Sequence, residues 1–514
     1  MHLPLLSLES FAATLPPALG EQALALTDTR QILSANAAAR ALGVKPGLKR
    51  ATALALAPQL TLGQADAARD AQALTAVAHA ALAFTPMVLI QPPGDAAGAS
   101  AAGAASHTVL LEVQASLRYF GGLQALLQRL HAALMPLGHR LNTVSASTPM
   151  GAALLARVHP ALHCADLAAT RRALAGAPVW LLGPGRAHWE ALQGMGLRTL
   201  ADLQAVPRDG LARRFGEALL SELDRAMGTR PDPREPLALP PAFDSRIELF
   251  ARADTTEQLL HGAHLLLARL VAWLSAQHAF VRRFTLVMEH ERRSRHDASA
   301  AGFTALAVAL AEPSRDHTHL LVLLRERLAQ LQLPAPTLEL RLHAEDIARR
   351  PPPNAELFPT PQSEQEGLTR LIERLQARLG PEQVLRLVPL QDHRPEHASA
   401  WRMADARIAR ARRTAAGPAS PGALPAAQQA VRPVWLLAQP EPLNERQSGL
   451  VFDGQPLQLL SGPERIESGW WDAALVERDY FIAQLPEGAL VWVYRSRLPA
   501  PGATQGWFLQ GWFG

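Results

Sequence analysis

The sequence predicts a multidomain α+β chain closed by a small tryptophan-rich module. Three observations carry that prediction. Residues 245 to 345 repeat a strand–helix–strand pattern, the mark of a split βαβ unit. Ahead of them, short apolar strand patterns alternate with helical spacing, so neither class takes over the chain. Behind them, a Pro-rich stretch at 349–361 and an Ala/Pro-rich stretch at 415–430 set off the remainder as separate pieces.

Composition bounds the answer. At 514 residues the chain holds several domains, and 48% hydrophobic against 19% charged content is enough for real cores. The formal charge is only +4, and Lys45 and Lys49 are the sole lysines. That balance predicts local basic patches rather than a polycationic coat. Cys164 is the single cysteine, which excludes disulfides and cysteine-rich zinc sites and fits a reducing compartment. No basic segment precedes an apolar run at the N-terminus, and the Ala/Leu runs are broken by Arg, His or Pro before spanning length. A cytoplasmic, soluble protein is expected.

Taken in order, Leu3 to Leu8 is the apolar core of a short first strand. Residues 20 to 62 place Gly43 at a helix end and Gly47 at a turn. Gly94 to Ser106 is a low-complexity loop between two strands, the second of which is VLLEV from Val109. Leu123 to Leu137 has helical spacing, and Leu141 to Arg157 reads as strand, turn and helix with Pro149 near the helix start. Residues 178 to 228 carry a helix-hairpin-helix pattern around Gly183-Pro184-Gly185. Glycines there let the backbone approach a phosphate, and amides at a helix start bind it without reading sequence. In the βαβ unit, Ile247–Ala251, Val281–Glu291, Phe303–Leu310 and Thr337–His343 read as strands around helices at 257–277 and 317–331. Arg282, Arg283, Arg292, Arg293 and Arg295 cluster on and after one strand, as a solvated face or as phosphate contacts.

Beyond residue 349 the linker RRPPPNAELFPTP is extended. Glu364 to Leu379 is an amphipathic helix with Leu368, Leu371, Leu375 and Leu379 on one face, and 366–414 is expected to be helical. The last segment, 431–514, is short-stranded, with Trp470, Trp471, Trp492, Trp507 and Trp512 as core residues or as partner anchors.

Several of these stretches resemble a known family. Val109 to Gly122, VLLEVQASLRYFGG, resembles the palm strand of Y-family translesion DNA polymerases, where an adjacent Asp-Glu pair helps hold two magnesium ions. Residues 20–62 resemble its fingers through Asn36, Ala39, Gly43, Gly47, Ala53 and Pro58. LNTVSASTPMGAALLAR resembles its next strand-turn-helix, but no Lys follows to touch a nucleotide. The resemblance implies a right hand: a palm at 1–170 with fingers at about 20–65, a helix-hairpin-helix thumb at 171–235, and a βαββαβ little finger at 236–348. Placed on the family's acids, Glu112 keeps a vestigial carboxylate and Val113 replaces one. Ser7 falls on the first-strand ligand position when Phe11 is aligned, and His2 or Pro4 in another register. Two-metal chemistry needs several carboxylates, so these positions argue against polymerase activity. No resident metal or cofactor is expected, and magnesium enters only with residual activity.

The remaining resemblances name partners. Asn354, Glu356, Leu357 and Phe358 resemble the bacterial sliding-clamp motif Q-x-x-L-F, with Asn354 in place of the Gln. The tail motifs, G-W-W-D and the terminal W-F-x-x-G-x-F, resemble those of a non-catalytic Y-family relative from bacterial damage-induced mutagenesis. That likeness implies a scaffold in DNA damage tolerance, associated with the nucleoid during damage. It would bind DNA through Gly183, Gly185, Arg186, Arg282 and Arg283 without reading sequence, and the clamp through the linker peptide. Trp470, Trp471, Trp507 and Trp512 would hold an error-prone C-family polymerase and a RecA-like accessory protein. Two other readings compete: an active, low-efficiency translesion polymerase using displaced acids, and a helix-hairpin-helix DNA-binding protein without replication partners.

Overall fold

A computed structural model describes residues 1–20, 22–91, 107–291, 302–349, 361–404, 432–446, 449–497 and 506–513. The chain divides into two compact units, Met1–Pro361 and Gln362–Gly514. The clamp-like peptide with Asn354, Glu356, Leu357 and Phe358 lies outside the described residues. So do the loop 94–106, the linker 415–430, and Arg292, Arg293 and Arg295.

The first unit begins differently from the expected strand. Extended pairing stops at Leu3, with His2 bridged to both Thr108 and Asn142. Leu6–Ala12 is a helix. Its apolar residues explain the change: Leu8, Phe11 and Leu15 recur at helical spacing and pack with Leu24 and Leu26. A three-stranded sheet, Ile32–Ala35, Leu24–Thr27, Thr61–Gln64, then forms a small module on an alanine-rich core. Asn36 fixes its first helix end, accepting from the Ala39 amide and from Leu24.

Two further cores follow in the same unit. Short helices between Leu167 and Met227 pack with the helix Pro149–Ala156 around Leu154, Leu181, Leu200, Leu219 and Leu223. Within them Gly185 is buried, and a Cβ there would stand 2.2 Å from the Val179 carbonyl oxygen. The last part is a four-stranded sheet, Phe303–Ser314, Ala279–His290, Thr337–Arg349, Phe243–Ala253 in that order, with every neighbour antiparallel. Helices Thr256–Ala276 and His317–Ala329 accompany it. Thr256–Ala276 is long and apolar enough to cross a membrane, but 67% of that stretch is buried inside the protein. Part of its cover is the helix Ala67–Leu82: Ala268 and Ala272 share one core with Ala73, Val77 and Ala80.

In the second unit the helix runs only over Pro361–Leu379. The expected helical continuation to 414 is instead a hairpin, Leu385–Pro389 against Ser399–Met403. Gly380, at φ 91°, and Pro381 stop the helix. Beyond them Leu385 and Leu387 alternate across from Met403 and Trp401, a period of two. The tail is a closed six-stranded barrel built from Trp435–Arg446, Gly449–Phe452, Gln455–Ser468, Val476–Gln484, Leu490–Ser496 and Trp507–Trp512. Closure leaves no free edge. The loop inside the hairpin is clipped to this barrel. Arg394 bonds Asp392 and, 78 residues on, Asp472 at 2.5 and 3.0 Å. Glu396 meets Arg478 at 3.0 Å and accepts from Gln510, which in turn accepts from the Tyr480 hydroxyl.

Two outcomes test this packing. Gly185→Val is expected to destabilise the first unit by about 1–3 kcal/mol, because the added side chain meets backbone rather than a movable side-chain tip. Denaturant unfolding measures it, and an unchanged midpoint would contradict the close approach. Arg394→Met is expected to lower the melting temperature of the second unit. Its bonds to Arg394 hold the Asp392 carboxyl down at about 2, below the ordinary value of about 4. The folded form therefore gains stability above about pH 4 and loses it as pH falls towards 2. The Met variant should lack that acid limb, and melts across pH 2–5 would reveal it if it persisted.

Candidate functional site

A cavity of about 940 Å³ opens in the first unit. The chain at His2, the helix Leu6–Ala12, the three-stranded module and the helix Ala67–Leu82 converge on it. Its polar lining includes His2, Ser7, Asp66, Asp70, His107 and Arg157. Asp66 is spent on structure, since its carboxylate caps the helix by accepting from Ala68 and Arg69. Asp70, one turn later, points into the cavity wall. The Ser7 hydroxyl donates to it, and the His107 imidazole lies 3.9 Å away. Asp70 Oδ1 and His107 Nε2 have no hydrogen-bond partner. Burial raises the Asp70 carboxyl, with the Ser7 bond opposing, and lowers the His107 imidazole, with Asp70 opposing. Burial, helped by the Arg157 charge, lowers His2 to about 4. A third aspartate of the lining, Asp28, accepts from the Arg30 and Gln31 amides, so two of the three carboxylates are taken up by backbone and burial disfavours charge on the third, Asp70. Among the described residues, no group of three or more His, Cys, Asp or Glu side chains could hold a metal ion.

The residues singled out in sequence fall elsewhere or in altered roles. Glu112 is exposed, does not line the cavity, and accepts from the Gln114 amide at 2.7 Å. Val113 packs on the adjoining core. Ser7 lies on a helix rather than on the strand, and His2 is the residue that the strand pairing holds beside Thr108. Asp70 escaped notice because its role needs the fold: the only signal is an acid one turn after a capping Asp on an alanine-rich helix.

The expected DNA contacts divide between two layers. Gly183, Gly185 and Arg186 lie in the short helix Gly183–Ala187. The Gly183 amide is occupied, donating to Glu222 at 2.9 Å, and the lack of a side chain at Gly185 answers the Val179 carbonyl. Arg282 and Arg283 are exposed on the strand Ala279–His290, Arg283 facing Asp346 across the sheet. The strand register also lines up Glu248, Glu339 and Glu289 across three strands, a row invisible without it. Burial first, then Glu289, pushes the Glu339 carboxyl upward. Beside that row Arg341 is paired with Asp244, and Arg246 stands 3.9 Å from Glu339. The face thus carries charges of both signs rather than a basic stripe.

The tail tryptophans separate by burial. Trp507 is buried and Trp512 packs on the same barrel core, as Trp492 does on Tyr480 with ring centroids 4.1 Å apart. Trp470 is 78% exposed and Trp471 54%. The four expected anchors are therefore two core residues and two surface residues.

No family model matches the chain. Protein ImuB of Caulobacter vibrioides strain NA1000 / CB15N is 29% identical over 498 residues, spanning 92% of this chain and 100% of that protein. ImuB of strain ATCC 19089 / CIP 103742 / CB 15 matches with the same figures. Among solved structures, a Dbh ternary complex and DinB from Sulfolobus solfataricus are each 15% identical, with TM-scores of 0.36 and 0.35. Each covers 68% of this chain and 98% of its own. Over 92% of its length the chain is ImuB-like.

Proposed function

We propose that the chain is a non-catalytic scaffold of DNA damage tolerance and induced mutagenesis. In this reading the first unit is a Y-family right hand, with 1–170 as palm, 20–65 within it as fingers, the short helices of 171–235 as thumb and the four-stranded sheet of 236–348 as little finger. It holds primer-template DNA without reading sequence. Residues 354–358 engage the sliding clamp. The second unit recruits an error-prone C-family polymerase and the RecA-like accessory protein ImuA. The reading rests on one observation above the others, the full-length likeness to ImuB.

Chemistry supports the non-catalytic part. Phosphoryl transfer by two metals needs carboxylates a few ångströms apart to hold both ions. Three aspartates line the cavity and each is engaged: Asp28 accepts from the Arg30 and Gln31 amides, Asp66 caps its helix, and Asp70 accepts from Ser7 beside His107. Glu112 stands apart from it. A low-efficiency polymerase would have to assemble its metals from these groups.

Clamp binding supplies the test. Leu357 and Phe358 are an apolar pair in a Pro-flanked, otherwise polar stretch, where an extended peptide loses little entropy on binding. Leu357→Ala with Phe358→Ala should remove roughly 3–6 kcal/mol of transfer free energy at the clamp. A micromolar contact then falls beyond detection. Calorimetric titration against the clamp, beside a thermal melt and a DNA-binding assay, is expected to show lost clamp binding alone. Unchanged affinity with a lowered melting temperature would instead make the pair structural.

A further inference from the structure

We propose that the loop 45–50, with Arg30 beside it, takes consecutive phosphates of one DNA strand next to the cleft. This rests on the reading that the first unit holds DNA, and it places a contact outside both the helical hairpin and the four-stranded sheet. Residues 21–64 carry five cations, Arg30, Arg40, Lys45, Lys49 and Arg50, against two acids, Glu21 and Asp28. That surplus is most of the formal +4 of the whole chain, and both of its lysines are in it.

Backbone pairing fixes the cations in place. Gln31 and Lys49 form an antiparallel bridge, the Arg50 amide donates to the Arg30 carbonyl at 3.1 Å, and the Ile32 amide to the Leu48 carbonyl at 2.8 Å. Gly47 turns the loop at φ 88°, its amide donating to the Ile32 carbonyl at 2.8 Å. Val44 is buried and Leu48 packs on the same alanine-rich core, so the loop is pinned from inside. Arg30, Lys45, Lys49 and Arg50 are all exposed. The register sets Arg30 directly across from Arg50. Like charges facing each other across a ladder cost stability unless an anion lies between them.

Nothing described nearby supplies that anion. The Asp28 carboxylate is engaged by the Arg30 and Gln31 amides at 2.6 and 2.8 Å, and the Arg30 charge also acts on it. The surplus therefore rests on Lys45, Lys49 and Arg50, which make no ion pair among the described residues. Elsewhere in the first unit exposed arginines do find carboxylates: Arg208 meets Asp224, Arg252 meets Glu291 and Arg341 meets Asp244. Residues 20–62 contain no Phe, Tyr or Trp, so the surface has no ring on which a base could stack. Fixed point charges without stacking groups suit evenly spaced phosphates and read no sequence. Thr29 lines the cavity, so this basic surface begins beside the cleft.

The test titrates the full-length chain and a Lys45→Gln, Lys49→Gln, Arg50→Gln variant with oligo(dT) and with a blunt duplex, over a series of salt concentrations. The variant is expected to bind more weakly at low salt, with a slope of log affinity against log salt shallower by about 2, because fewer counterions are released. Its melting temperature should be native, since all three side chains lie in water. Lys45→Arg with Lys49→Arg should keep the native slope. A shallower slope on oligo(dT) assigns the phosphates to an unpaired strand, and one confined to the duplex assigns them to a paired strand. Acetylation of the native chain gives a second readout, because Lys45 and Lys49 are its only lysines and saturating DNA should protect both. A native slope in the variant on both DNAs overturns the proposal and leaves an acidic protein segment as the class of partner. Lysines acetylated as fast with DNA as without it overturn it too. A native chain that binds neither DNA overturns the DNA-holding reading itself.

Discussion

The guanidinium of Arg269 lies 4% exposed between two helices, bonded to Gln72, Ser245 and the carbonyl of Arg246, with no carboxylate among those bonds. Burial lowers even this strong base to about 10. Such a charge is tolerated only where its hydrogen bonds are held in place, so it fixes three elements against one another. The alanines around it, Ala268 and Ala272 against Ala73 and Ala80, let the helices Thr256–Ala276 and Ala67–Leu82 approach closely. The second of these helices carries Asp70 on its cavity side. The same contact that seats the four-stranded sheet therefore also positions Asp70 at the cleft.

The second unit depends on a comparable device. Arg394 reaches from a hairpin loop to Asp472, so the barrel is tied to chain that precedes it by decades of residues. That tie gives the Gly-Trp-Trp-Asp motif its form. Gly469 and Asp472 serve the fold, and the first tryptophan is left over for a surface. A motif that looks uniform in sequence is thus half architecture and half display.

Periodicity made much of the fold legible. The four strands and two helices between Phe243 and Arg349 follow directly from alternation and from leucine spacing, and the tail strands follow from their short aromatic runs. What failed was local competition between periods. Leu3 to Leu8 reads as a strand because four of its six residues are leucine, yet Phe11 and Leu15 complete a helical face. The stretch after Leu379 reads as a helix until the pairing of Leu387 with Trp401 is known. The site was less legible for a related reason. Motif alignment selects Glu112, but only the strand register puts His2 and His107 side by side, and only helix packing brings Asp70 to Ser7. The glutamate row on the sheet depends on register in the same way.

A chain whose cleft aspartates are taken up by backbone amides and a serine hydroxyl should not transfer nucleotides. Primer extension with magnesium or manganese, on protein confirmed to bind the primer-template, tests this most directly. The account predicts no template-dependent incorporation. Extension by the native chain that disappears in Asp70→Asn or Glu112→Ala would contradict it and restore a polymerase to this fold.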